Sequence, residues 1–203
     1  MRAAQFVHEL AQKLCIPEAE VAAYDRYLAN AGLRAKAEGR DYPDLTTKEA
    51  IRLPLALMCA RTPARAAADL ADVERFRLLA HRISTAAGNP ANLKKVLGLS
   101  VAEIERMDLI DVLTVSVQAV AAPWGSAFHG PMVGIEVHLG GPVMLQVFGD
   151  GFVGDLTFVG AMDIMAEVGK PLTSTEFSRS ATVGPGVMAW IGHVAPSNES
   201  AEA

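Results

Sequence analysis

The sequence predicts an α+β protein in which a helical N-terminal region precedes a small antiparallel β-meander. Up to about residue 120, apolar residues recur mostly at the three- and four-residue spacing of amphipathic helices. After Pro123, short segments rich in Val, Leu and Phe alternate with glycine-containing turns, a pattern typical of strands. The chain is 51% hydrophobic and 20% charged over 203 residues, so it can bury a substantial core.

Breaks and caps delimit the first two predicted helices. A helix over residues 4–14 ends before Pro17, because proline fits the first turn of a new helix but not the interior of an old one. A second helix over 18–31 ends near Gly32.

Three further helices follow in the prediction. A capping box over residues 46–49 begins the third helix. A threonine cap and a first-turn proline then predict a long helix over 62–83. A second capping box over 100–103 predicts another helix that runs to about residue 120.

Three adjacent strand-like segments predict the meander. They cover residues 132–139, 142–148 and 152–159 and are separated by glycine-rich turns. We also expect a short helix over 160–168 and a further strand over 187–194.

The sequence Gly88-Asn89-Pro90 is the best candidate for a domain boundary. We therefore predict a helical domain over residues 1–87, an α+β domain over 92–195 and a frayed polar tail over 196–203.

Several features predict a cytoplasmic protein without a membrane partner. The first residues lack a secretory pattern, and the apolar windows are shorter than the roughly 20 residues of a membrane span. Cys15 and Cys59 lie in apolar helical patterns without metal-ligand spacing, so we expect two buried free thiols in a reducing compartment.

The net charge of −5 is spread unevenly. Residues 1–98 hold 15 Lys/Arg and 11 Asp/Glu, or +4, whereas residues 99–203 hold 3 and 12, or −9. The first half is compatible with a polyanionic partner and the second half would repel one.

Residues 6–47 contain the order expected of a helix-turn-helix. Such a motif needs a bracing helix with a small packing residue, a short turn and an outward helix. Ala11, Cys15 to Pro17 and Glu18 to Asn30 fill these places, and Ala31-Gly32-Leu33 then precedes a basic, glycine-containing segment. This order resembles the MarR-like and ArsR-like winged helix-turn-helix regulators, and it predicts a winged-helix-like start to the chain.

The resemblance implies double-stranded DNA as the partner and a homodimer that matches operator symmetry. A looser likeness over about 80 residues is to regulators encoded in alphaproteobacterial prophages. By the resemblance, one group of residues on the second helix would face DNA and a basic group on the wing would contact phosphate. The helix group is Ala23, Arg26, Tyr27 and Asn30, and the wing group is Arg34, Lys36 and Arg40.

An ordinary helical hairpin is the alternative. The second helix also carries Glu18, Glu20 and Asp25, which repel phosphate unless they are paired or face inward. Pro17-Glu18 also replaces the serine or threonine that commonly begins the family's DNA-facing helix.

Other motifs favour no catalytic residue, metal or cofactor. Residues 149–154 spell GxGxxG, but a strand-like segment follows where a dinucleotide site needs a helix, so we predict a hairpin turn. His129, Glu136, His138 and His193 could converge on a metal, but solvent-facing sheet positions explain the Glu136–His138 pair equally well. Trp124 and Trp190 are expected in the core.

We therefore expect a non-enzymatic, DNA-binding regulator of bacterial or phage origin. Its acidic C-terminal region would oligomerise or bind an effector or protein. The alternative is a protein-binding, assembly or inhibitory module of a phage that does not bind DNA and uses the edge of its sheet.

Overall fold

The computed structural model describes residues 1–36, 43–85, 91–120, 132–138, 141–149, 152–160 and 180–195. They form helices packed on a five-stranded antiparallel sheet, so the predicted α+β class is confirmed. The elements are α1 (Ala3–Leu14), α2 (Glu18–Asn30), α3 (Thr47–Cys59), a 3-10 helix (Pro63–Arg65), α4 (Ala66–Glu74), β1 (Arg77–Thr85), α5 (Ala91–Leu97), α6 (Val101–Ile104), α7 (Leu109–Val120), β2 (Met132–His138), β3 (Val143–Gly149), β4 (Phe152–Val159), β5 (Ser180–Val183) and α8 (Pro185–Val194).

Both predicted capping boxes begin helices. At the start of α3, the Thr46 hydroxyl accepts a hydrogen bond from the Glu49 N–H at 3.2 Å, and the Glu49 carboxylate accepts one from the Thr46 N–H at 2.9 Å. Ser100 and Glu103 repeat the arrangement at α6. Each box satisfies backbone N–H groups that the first helical turn leaves without partners.

The predicted long helix over 62–83 is wrong. The chain forms the 3-10 helix and α4, and then turns at Arg75 into the nine-residue strand β1. The apolar residues near Ile83 fit a strand as well as a helix, so local pattern cannot decide between them. β1 is a strand because β4 offers it a hydrogen-bonding edge along its whole length.

The predicted single helix over 100–120 is also divided. α6 ends at Ile104, and α7 begins at Leu109 after a short break. Two contacts fix the break against β1: the Leu109 N–H donates to the Phe76 carbonyl at 2.9 Å, and Arg77 forms a 2.9 Å ion pair with Asp108. The helix over 91–97 was not predicted from the sequence.

The predicted strand over 187–194 is wrong because this segment is α8. Gly184 precedes the helix and Pro185 occupies its first turn, a start signal that the short apolar run concealed. A helix that is apolar on most of its surface is buried on several sides. The predicted helix over 160–168 lies, apart from Gly160, outside the described residues, and Gly160 is not helical.

The sheet has the strand order β1-β4-β3-β2-β5, and every pair is antiparallel. The predicted meander β2–β3–β4 is confirmed, and strands from distant parts of the chain extend it at both edges. Gly149 pairs with Phe152 across the β3–β4 connection, so the GxGxxG sequence spans a hairpin. The strand β4 follows these glycines, whereas a dinucleotide site needs a helix at that place.

Alternation along the strands separates a buried face from a half-exposed one. Val133, Ile135 and Val137 of β2 are buried, as are the residues paired with them on β3. The opposite face carries half-buried polar residues such as Glu136 and Gln146. α7 and α8 pack against β2, which places the core between the helices and one side of the sheet.

The two ends of the described chain meet in one core. Phe6 of α1 and Trp190 of α8 stack with their ring centroids 5.0 Å apart at an interplanar angle of 12°, and the Lys13 ammonium lies 5.0 Å from the indole centroid. The Met1 ammonium donates to the Val194 carbonyl at 3.3 Å. Buried residues of both predicted domains belong to one connected cluster, and β1 of the first pairs with β4 of the second.

None of the described helices is long and apolar enough to cross a membrane. The longest described helices, α2 and α3, have 13 residues each, whereas a membrane span needs roughly 20.

Removing the Phe6 ring should destabilise the whole protein. Phe6 is 1% exposed, and Phe6→Ala leaves a cavity against Trp190, so we expect a loss of about 3–5 kcal/mol in the free energy of unfolding. Urea unfolding followed by tryptophan fluorescence measures it, and the exposed Gln5→Ala on the same helix is the control, with a change within about 0.5 kcal/mol. A loss as small as the control's would mean that this stack does not hold α1 in place.

Candidate nucleic-acid interface

A three-residue connection joins α1 to α2, as the sequence predicts. Cys15 ends α1 in the left-handed conformation, at φ 53° and ψ 38°. The Ile16 N–H donates to the Ala11 carbonyl at 3.0 Å, which closes the helix end. Pro17 follows in extended conformation as the N-cap of α2, so the chain changes direction within one short turn.

One face of α2 is fixed in the core. Val21, Tyr24 and Leu28 are buried, and the Tyr24 hydroxyl donates to the Ala60 carbonyl at the end of α3 at 3.3 Å. Ala11 of α1 is buried too, in the role of the small packing residue that the motif requires. α2 is therefore held by α1 and α3, and it presents only its remaining face to solvent.

The outward face of α2 carries the residues singled out from the sequence. Arg26, Tyr27 and Asn30 are exposed, Tyr27 by 43%, and Ala23 is half-buried. Positions 23, 26, 27 and 30 lie on one face by helical spacing. The four side chains thus form a continuous surface, which we call the α2 outer face.

The Ala31-Gly32-Leu33 sequence has a local structural explanation. Gly32 has φ 73°, the Gly32 N–H donates to the Ala29 carbonyl at 3.1 Å, and the Leu33 N–H donates to the Leu28 carbonyl at 3.0 Å. These two bonds form a Schellman motif, which ends many helices of unrelated proteins. The part of the resemblance that rests on these residues therefore indicates a helix end and does not by itself indicate DNA binding.

Polar contacts fix the segment after α2. Arg34 Nη2 donates to Asp25 Oδ2 at 2.8 Å. Arg34 Nε also lies 2.5 Å from Asp25 Oδ1, as part of the same ion pair. The Ala35 N–H donates to Glu49 at 2.6 Å, and Arg52, itself paired with Glu74, donates to the Leu33 carbonyl at 2.9 Å.

The three basic residues predicted for the wing differ in what the structure shows of them. The Arg34 side chain is only 16% exposed and is engaged by Asp25, so its guanidinium is not presented to solvent as a phosphate contact. Lys36 is exposed. Arg40 lies outside the described residues, as does the tip of the predicted wing, and Asp44 beyond it forms an isolated bridge with Arg2.

The N-terminal end of α2 is acidic. Glu18 and Glu20 are exposed in its first turn. Glu18 Oε2 lies 2.8 Å from His8 Nδ1, and the other ring nitrogen of His8 lies 2.9 Å from Gln12 Nε2. Glu20 forms no ion pair with any described residue. Asp25, the third acidic residue of the helix, is paired with Arg34, so it is removed from the outward surface.

The candidate metal ligands considered in the sequence do not form a metal-binding site within the described parts of the chain. His138 Nε2 lies 3.5 Å from Glu136 Oε1 on the half-exposed side of β2, whereas His193 is on α8 and His129 lies outside the described residues. No set of three or more potential ligands converges among the residues described. Trp190 is a core residue, and Trp124 lies outside the described residues.

Comparison with known protein families, with curated proteins and with solved structures gives no match to this chain. A function is therefore inferred from the α2 outer face and its surroundings.

The Asp25–Arg34 pair predicts a pH-dependent cost for removing Arg34. Burial, the largest effect, raises the pKa of Asp25, while Arg34 opposes the rise. Arg34→Ala leaves a buried carboxylate unpaired near pH 7, where we expect a loss of about 2 kcal/mol, below the 3–5 of fully buried pairs because both side chains retain some exposure.

The sign of the pH effect follows from the raised pKa of Asp25. Protonated Asp25 needs no cation, so the native state of Arg34→Ala is favoured as the pH falls, and the loss should shrink toward pH 4. Urea unfolding of both proteins at pH 7 and pH 4 measures this difference. Asp25→Asn combined with Arg34→Ala is the control and should show little change with pH; an equal loss at both pH values for Arg34→Ala would contradict the pairing.

The two thiols should differ sharply in reactivity. Cys15 is exposed, which corrects the expectation that both thiols are buried, and it is exposed because it lies in the turn rather than on the apolar stripe. Burial raises the pKa of the Cys59 thiol to about 12, so its reactive thiolate is scarce at pH 8. A thiol reagent at pH 8 should label one equivalent rapidly, and Cys15→Ser should remove that phase. Rapid labelling of Cys15→Ser in the native state would show that Cys59 is accessible.

Proposed function

We propose that this chain is a DNA-binding regulator of a bacterial or phage cytoplasm, in which α2 enters the major groove of double-stranded DNA. In this proposal the protein acts as a homodimer. The sheet region serves oligomerisation or binds an effector or a protein, and the chain performs no catalysis.

The observation that carries the proposal is the exposure of Arg26, Tyr27 and Asn30 on a helix whose other face is buried. A helix serves as a probe of a groove only when neighbouring elements hold it rigidly and leave its outer surface free. α1, the three-residue turn and α3 supply that support. Arginine and asparagine are also side chains that form paired hydrogen bonds with base edges.

The charges near the α2 outer face favour DNA binding more than the net charge of the chain does. The chain carries −5 overall, which disfavours a polyanion at long range. Screening limits such effects to about 8 Å at physiological salt. Within that distance the decisive charges are those of the contacting surface. Arg26 and Lys36 are exposed there, and Asp25 is already paired. Glu20 is also exposed, but it lies at the opposite end of the α2 outer face, nearly one helical turn before Ala23.

Duplex binding should weaken steeply with salt and depend on the α2 outer face. Lys36→Ala should reduce the slope of log affinity against log salt by about 1, because one phosphate contact is lost. Arg26→Ala should cost about 1–3 kcal/mol, or roughly 5- to 160-fold in affinity, if the side chain contacts a base. Fluorescence anisotropy with labelled duplexes from around the protein's own gene measures both effects.

A matched control is available on β1. Arg82 is an exposed arginine on the sheet, so Arg82→Ala removes the same charge away from α2 and should change affinity less than about two-fold. An equal loss of affinity for Arg82→Ala and Arg26→Ala would show that the binding is nonspecific charge attraction. Absence of duplex binding at low salt would overturn the proposal.

A protein-binding module without DNA binding is the second candidate, and the edge of the sheet favours it. β1 has nine residues and stands at the end of the described sheet, with Leu79 42% exposed. An exposed strand edge can accept an extended peptide from a partner. The pairing irregularity between Leu78 and Ala80 and the exposed Arg82 oppose this, since bulges and charges normally protect edges from pairing.

A further inference from the structure

The N-terminal end of α2 carries exposed negative side chains, whereas exposed positive ones lie in its C-terminal half and just after it. Glu18 and Glu20 lie in the first turn, whereas Arg26 lies in the C-terminal half and Lys36 follows the helix. The helix dipole contributes roughly +0.5 at the N-terminus and −0.5 at the C-terminus. With the exposed charged side chains of the described residues added, these values become about −1.5 at the N-terminal end and about +1.5 at the C-terminal end. Even if His8 cancels Glu18, the N-terminal end stays negative.

Side-chain length points to the same end of the helix. Arg26 has a long side chain and Asn30 a short one, one helical turn further along, and both are exposed. For both to reach base edges at once, the helix must tilt so that its C-terminal end lies deeper in the groove.

The described residues directly after α2 are compatible with this approach. Ala31 and Gly32 are exposed and small, and a Cβ placed on Gly32 would meet no atom within 4 Å. Gly32 also closes the helix in the left-handed region, so the chain turns back at once toward Leu33 and α3. The residues that directly follow α2 are therefore small, which favours approach of its C-terminal end to a groove about 12 Å wide.

We propose that α2 enters the major groove with its C-terminal half leading, and that Arg26 recognises a guanine and Asn30 an adenine two base pairs away. This inference rests on the proposed DNA binding. Arginine bonds guanine O6 and N7, and asparagine bonds adenine N6 and N7. Four residues of helix rise about 6 Å, close to the roughly 6.8 Å of two base-pair steps, which sets the spacing.

Selection of bound duplexes from a random library tests the base assignments. The wild-type protein should enrich G and A separated by one base pair. Arg26→Gln should remove the preference for G, because glutamine is shorter and lacks the guanidinium that bonds guanine, while the Asn30 position stays unchanged. Asn30→Ala should abolish the preference for A and keep that for G. Lys36→Gln is the matched control and should weaken all sequences alike.

Glu20→Gln tests the direction of entry. Along the helix Glu20 lies about 15 Å from Asn30 and about 9 Å from Arg26, so both distances exceed the screening length of about 8 Å at physiological salt. This change should therefore alter affinity less than about two-fold if the C-terminal half leads. Any larger rise would place the N-terminal end at the phosphates and overturn the inference.

The outcomes separate this inference from the broader function. Enrichment of a motif that Arg26→Gln and Asn30→Ala leave intact overturns the base assignments, and so does salt-dependent binding that enriches no motif; both leave DNA binding in place. Failure to bind any duplex overturns DNA binding and the inference together.

Discussion

The stack of Phe6 on Trp190 is the interaction on which the rest of the structure depends. It joins the first helix to the last described helix, and the bond from Met1 to the Val194 carbonyl reinforces the contact. α1 can brace α2 only if α1 is itself fixed, and α1 is too short to be stable alone, since isolated helices of about 12–15 residues are marginal in water. The outward face of α2 is therefore a consequence of packing that begins at the opposite end of the sequence.

Around α2, buried polar contacts fix the position of the helix and of the segment after it, whereas exposed charges determine the character of its surface. Tyr24 fixes the inner face of the helix, and the Asp25–Arg34 pair fixes the segment that follows it. A partly buried pair is costly to desolvate, so it contributes position more than stability. Because the pair uses Arg34, Arg26 and Lys36 remain as exposed cations among the residues described in and just after the C-terminal half of α2.

Local sequence signals were reliable where the determining contacts are themselves local. The capping boxes at Thr46 and Ser100, the Pro17 break and the pairing of β3 with β4 on either side of their glycine-rich connection all form as predicted. Each depends on residues within a few positions of one another. The strands of the meander were found for the same reason, since alternation and turn residues are local.

The sequence by itself determined where most N-terminal helices begin, which strands form the hairpins and which residues of α2 could face outward. Only the tertiary structure decided that residues 77–85 are a strand and that 185–194 is a helix, because β4 and the packed helices supply their partners. It likewise placed Arg34 on Asp25, nine positions away across a helix end that no periodicity spans. The physical reason is that an ambiguous apolar segment forms the helix or strand that its packing partners, distant in sequence, stabilise. A long charged side chain likewise pairs with an opposite charge that the fold brings near it.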